Sequence, residues 1–89
     1  MTVRSNRAVP SLRRAFGEHL RALRQARGLS QDRLGLKAGL SGKFVGEVER
    51  GDKSISLDSL WRVARALGLS MPALIQGALR RGDGRGRRP

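Results

Sequence analysis

Two short apolar-periodic stretches flank the tripeptide Gly39-Leu40-Ser41, and this spacing limits what the chain can fold into more than any other feature. Ser30 is placed to cap a helix over Gln31 to Ala38 by accepting a backbone N–H. Asp32 suits the positive first turn, and Leu34 and Ala38 share one face at i and i+4. Gly39 stops that helix, since a left-handed residue there turns the chain within about three residues. Leu40 then points to the core and Ser41 caps a second helix, Gly42 to Arg50. Val45 and Val48 face inward at i and i+3, and Gly51 closes the helix.

The flanking sequence predicts three more helices. Leu12, Phe16, Leu20 and Leu23 recur at helical spacing up to Arg27 and Gly28, a basic last turn followed by a terminating glycine. After a polar loop from Asp52 to Ile55, Ser56 caps a stripe of Leu60, Val63, Ala64 and Leu67 that ends at Gly68, with Asp58 near its positive end. Ser70 caps a short fifth helix that tolerates Pro72 in its first turn and carries Leu74, Ile75 and Leu79. No stretch alternates with a period of two, so the expected fold is all-α with five helices.

With 89 residues, the chain has room for one domain with a modest core. It has no cysteine, which excludes disulfides and thiolate metal sites, and His19 is its single histidine, so no metal or cofactor is expected. His19 reads as a boundary residue beside Phe16 and Leu23. No nucleophile, base and orienting group stand at a recognisable spacing, which argues against an enzyme.

Charge points elsewhere. Nineteen Lys and Arg face seven Asp and Glu, a net +12 that favours a polyanionic partner, nucleic acid ahead of an anionic membrane surface. Arg4, Arg7, Arg13 and Arg14 load one end, and Arg80, Arg81, Arg85, Arg87 and Arg88 the other. The expected organisation is a basic N-terminal arm over 1–11, a folded domain over 12–79 and a Gly/Arg tail over 80–89, the ends being arms or solubilising termini. No apolar run approaches the length of about 20 residues that spans a membrane, and the N-terminus lacks a signal-peptide core, so a cytoplasmic, nucleoid-associated protein is expected.

In their order and spacing, Leu23-Arg24, Gly28-Leu29-Ser30-Gln31, Leu34, Ala38-Gly39-Leu40-Ser41, Val45, Val48-Glu49-Arg50-Gly51 and Ala64-Arg65-Ala66-Leu67 resemble the Cro and repressor-like (Cro/C1-type, XRE) family of helix-turn-helix DNA-binding domains. The resemblance covers about residues 12–77 and implies a lambda-repressor-like five-helix fold. It also implies DNA binding through the second and third helices, and a two-fold dimer on a palindromic operator. Gln31 resembles the family's phosphate-anchoring glutamine, and Ser41 combines a cap with a phosphate contact. Gly42, Lys43, Gly46 and Glu47, flanked by Phe44 and Arg50, match the family's base-reading face.

On that face Lys43 suits guanine O6 or N7 and Glu47 suits cytosine N4, unless the two pair with each other. Phe44 lies along the DNA backbone or in the core, and Arg50, Lys53 and Ser54 suit phosphates. Arg24 and Glu49 match a family ion pair that sets the angle of the recognition helix. Gly42 and Gly46 depart from many relatives, offering no side chain and each costing about 1 kcal/mol of helix propensity against alanine. Gly46 would permit close backbone approach to the groove, or readout would pass to DNA shape. Gly35 stands where alanine is usual. Trp61, outside the apolar stripe of its helix, suits a dimer surface with Leu74, Ile75 and Leu79, or packing beneath the N-terminal arm.

The resulting expectation is a sequence-specific transcription regulator, a homodimer reading double-stranded half-sites about 34 Å apart. Restriction-modification controllers, phage repressors and antitoxins share this build, and Ile55-Ser56-Leu57 looks most like the controllers. The alternatives are an antitoxin or other protein-docking module on the same fold, and a sequence-neutral binder driven by the arms. Three aromatics are few for a protein that stacks bases.

Overall fold

Four serine hydroxyls set the starts of four helices. Ser30, Ser41, Ser56 and Ser70 each accept the backbone N–H three residues on, at 3.0, 3.0, 3.1 and 3.2 Å. Each satisfies a donor that the first helical turn leaves unpaired. The computed structural model describes residues 5 to 86, with side chains described over 11 to 81. It contains α1 (Ser5–Ala26), α2 (Gln31–Ala38), α3 (Gly42–Glu49), α4 (Leu57–Ala66) and α5 (Met71–Gly86), and no strand among the described residues.

Glycine makes one tight turn and one close helix crossing possible. Gly39 adopts φ of 72° and its own N–H and that of Leu40 return to carbonyls of α2, so the chain reverses without a side-chain clash. Gly17 lies where α1 crosses the end of α3. A Cβ there would meet the carbonyl oxygens of Val48 and Glu49 and fall 2.7 Å from the Glu49 carbonyl carbon.

The core forms where these helices meet. Leu20 of α1, Leu34 of α2, Val45 of α3, Val63 of α4 and Leu74 of α5 are fully buried. Two arginines supply donors to carbonyls at helix ends. Arg27 Nε donates to the Leu67 carbonyl at 2.8 Å, and Arg62 Nε donates to the Ala38 carbonyl at 3.1 Å. Helix α5 packs mainly along α1, and α3 sits between α2 and α1.

Three sequence expectations change. Helix α1 begins at Ser5 rather than Leu12, so residues 5–11 of the presumed arm are helical, and α5 continues through Gly86 rather than ending near Leu79. Once α1 and α5 lie side by side, each further turn adds an internal hydrogen bond at small cost, and propagation outweighs the polar composition. Residues 1–4 and 87–89 of the expected arms lie outside the described residues. Leu74, expected on a dimer surface, is wholly enclosed among Leu20, Leu34 and Val63. On α5 the i and i+4 face of Leu74 and Ala78 turns inward, which leaves Ile75 partly and Leu79 largely exposed.

Candidate nucleic-acid interface

The candidate interface comprises the first turn of α2 and the outer face of α3. Leu34, Val45 and Val48 bury the inner sides of these helices, so packing holds the opposite side of α3 toward solvent. Gly35 lets the two helices approach: a Cβ there would fall 2.5 Å from the Leu40 carbonyl oxygen and 3.1 Å from the Gly42 nitrogen. The absence of a side chain at 35 therefore leaves room for the turn to fold back onto α2.

Arg24 and Glu49 meet beneath this surface. Arg24 Nε lies 2.6 Å from Glu49 Oε2 and a second guanidinium nitrogen lies 3.1 Å from Oε1, while the third donates to the Leu29 carbonyl at 2.8 Å. Both side chains are buried, and the hydrogen bond to Glu49 raises the pKa of Arg24, so the guanidinium stays charged. The pair joins the last turn of α1 to the last turn of α3. Gln31 extends it, its Nε2 donating to Glu49 Oε1 at 3.0 Å.

The remaining candidates divide by environment. Lys43 and Ser41 are exposed at the start of α3, Ser41 with its hydroxyl engaged as the cap. Glu47 faces Lys53 at 3.9 Å, so its partner comes from the loop rather than from Lys43. Arg50 is exposed and its Nε donates to Asp52 at 3.0 Å, and Ser54 is exposed in the loop beyond. Phe44 is half-buried against the core.

The two glycines of α3 differ from the sequence reading. Gly46, read as an open position on the outer face, is buried: a Cβ there would lie 3.2 Å from Gln31 Oε1 and 3.3 Å from Nε2. Gly42 is half-buried beneath Asp32, whose Cα would lie 3.0 Å from a Cβ at that position. Sequence reasoning gave Asp32 only a helix-dipole role. The available signal was that α3 carries small residues where the first turn of α2 crosses it.

The other three candidates, Trp61, Ile75 and Leu79, belong to α4 and α5 rather than to α2 and α3. Trp61 is 51% exposed on α4, with the Arg65 guanidinium 4.8 Å from its ring centre and Lys37 and Arg62 close by. Ile75 and Leu79 line an open apolar cavity of about 270 Å³ shared with Leu12 and Phe16 of α1, Leu60 of α4, and Lys53 and Ile55 of the loop.

Two short helices crossing through a glycine turn, one anchored under the other and presenting a lysine outward, define a helix-turn-helix domain. The Helix-turn-helix family model HTH_3 matches residues 20–74, and the chain belongs to that family. Control protein C.SmaI of Serratia marcescens is 33% identical over 64 residues, covering 72% of this chain and 76% of the relative. Control protein C.BamHI of Bacillus amyloliquefaciens is 29% identical over 66 residues, covering 73% and 82%. Among solved structures, the clp gene regulator ClgR of Corynebacterium glutamicum superposes with a TM-score of 0.79 at 31% identity, over 83% of this chain and 79% of that one. The restriction-modification controller C.AhdI of Aeromonas hydrophila gives 0.68 at 42% identity, over 70% and 94%. This chain is a sequence-specific DNA-binding regulator of the HTH_3 type.

Proposed function

We propose that the chain acts as a homodimer on a palindromic operator in nucleoid DNA, each copy laying α3 in the major groove of one half-site. The observation that carries this reading is the anchored surface itself. Gln31 at the N-terminus of α2 is held by the buried Arg24–Glu49 pair against Gly46 of α3, and Lys43 is exposed at the start of α3. In this reading Lys43 and Glu47 contact bases, with Phe44 along the groove wall. Arg50, Lys53, Ser41 and Ser54 contact phosphates, and the net charge of +12 supplies the salt-dependent affinity.

The proposed dimer face joins Trp61 of α4 to Ile75 and Leu79 of α5, with the apolar cavity beside it closed by the second copy. Leu12 and Leu79, both exposed and both lining that cavity, support it, since large apolar side chains gathered at one place on a small domain mark a contact surface. Selection of duplexes from a random pool by the full chain tests the reading. A two-fold symmetric site and a 2:2 ratio of protein to half-sites support it, and an asymmetric site bound by one copy overturns the dimer.

A further inference from the structure

At Gly46 helix α3 has no side chain of its own where the first turn of α2 crosses it, yet that place is not empty. The Gln31 carboxamide lies across Gly46, near enough that a Cβ at 46 would stand 3.2 Å from its oxygen and 3.3 Å from its nitrogen. Gly46 is buried and Gln31 only half-buried, so what the surface presents here is the glutamine of α2.

The amide also has a defined orientation. Its nitrogen faces Glu49 Oε1 at 3.0 Å, and the Glu49 carboxylate is itself gripped by Arg24 at 2.6 and 3.1 Å. An ionised carboxylate only accepts hydrogen bonds, so the nitrogen end of the amide must turn to it. One N–H is used there. That leaves the oxygen and one N–H free, and with Glu49 on the N–H that points away from the oxygen the two stand side by side, an acceptor next to a donor, the pattern that complements N6 and N7 of adenine in the major groove.

We propose that Gln31 reads an adenine base edge in each half-site, with Gly46 as the slot that admits its carboxamide and Arg24–Glu49 as the positioning pair that sets its polarity. This rests on the DNA-binding reading above and moves part of base recognition from α3 to α2. A phosphate anchor and a base reader differ in what their loss does: the first weakens every duplex alike, the second relaxes choice at one position.

The test uses the full chain and a duplex taken from the random-pool selection, with each adenine replaced in turn by 7-deazaadenine, which lacks the N7 acceptor. The expected result is one adenine per half-site at which the replacement weakens wild-type binding about 5-fold or more, the low end for a bidentate base contact. In Gln31→Ala that position becomes indifferent to the replacement, while Gln31→Ala stays folded by circular dichroism. In Gly46→Leu, which fills the slot, the same position also becomes indifferent. The proposal is overturned if Gln31→Ala lowers binding equally for all duplexes and leaves the 7-deazaadenine pattern intact. Failure of the wild type to prefer any duplex overturns the sequence-specific reading and this assignment with it.

Discussion

Arg24 Nε and Glu49 Oε2 stand 2.6 Å apart in the interior, tying the last turn of α1 to the last turn of α3. Removing one member of a buried pair strands the other charge, at a cost of about 3–5 kcal/mol. Glu49→Ala is therefore expected to lower unfolding free energy by that order in urea titration, and Arg24→Met with Glu49→Leu to lose much less. If the double variant loses as much as the two single losses added together, the two side chains do not act as a pair.

Glycine substitutions should rank by what a new methyl group meets. At Gly17 it meets the backbone carbonyls of Val48 and Glu49, which cannot move without shifting α3. At Gly46 it meets the ends of Gln31 and Arg50, which can swing away, and replacing a helical glycine gains up to about 1 kcal/mol of propensity. Thermal melts should show Gly17→Ala strongly destabilised and Gly46→Ala near or above the wild type. Equal melting temperatures would contradict the close crossing of α1 over α3.

His19 gives folding a pH dependence of known sign. Its ring packs on Gly77, where a Cβ would fall 2.6 Å from Cε1. Burial first, then Arg81 and Arg80, lower its pKa below the ordinary 6.5. The unfolded chain thus binds the proton more readily, and stability declines as pH falls below about 6.5 until the folded-state pKa is passed. Melting temperatures at pH 8 and pH 5 should differ less for His19→Gln than for the wild type. An identical difference in both would place the acid sensitivity on other groups.

Lys43 and Lys53 separate by their contacts. Lys43 is exposed at the start of α3, and Lys53 lies in the loop 3.9 Å from Glu47. Lys43→Ala should flatten preference among operator variants. Lys53→Ala should weaken all duplexes similarly and reduce the slope of log K against log salt by about one. Binding titrations at several salt concentrations check both, and unchanged operator preference in Lys43→Ala removes that residue from the reading face.

Dimerisation and DNA binding should respond to salt in opposite directions. Two copies of a chain of charge +12 repel each other, and salt screens that repulsion while it weakens phosphate contacts. Trp61, the single tryptophan, sits on the proposed face and reports association through its fluorescence. Sedimentation should show more dimer at 0.5 M than at 0.05 M salt for the wild type, with Trp61→Ala monomeric in both. A dimer that persists unchanged in Trp61→Ala moves the interface elsewhere.

Much of the fold was legible in the chain because its signals are local. A serine that caps, a glycine that ends a turn and a repeating Leu or Val act on residues within one or two turns, so α2, α3 and α4 could be placed from composition and spacing. What the sequence could not decide depends on which helix lies opposite. The inward turn of Leu74, the extension of α1 to Ser5 and of α5 to Gly86, and the cover that Asp32 and Gln31 place over Gly42 and Gly46 all follow from helix crossings between distant segments. The same two glycines that read as bare positions on an isolated helix become, once α2 crosses α3, the spaces that its first-turn side chains occupy.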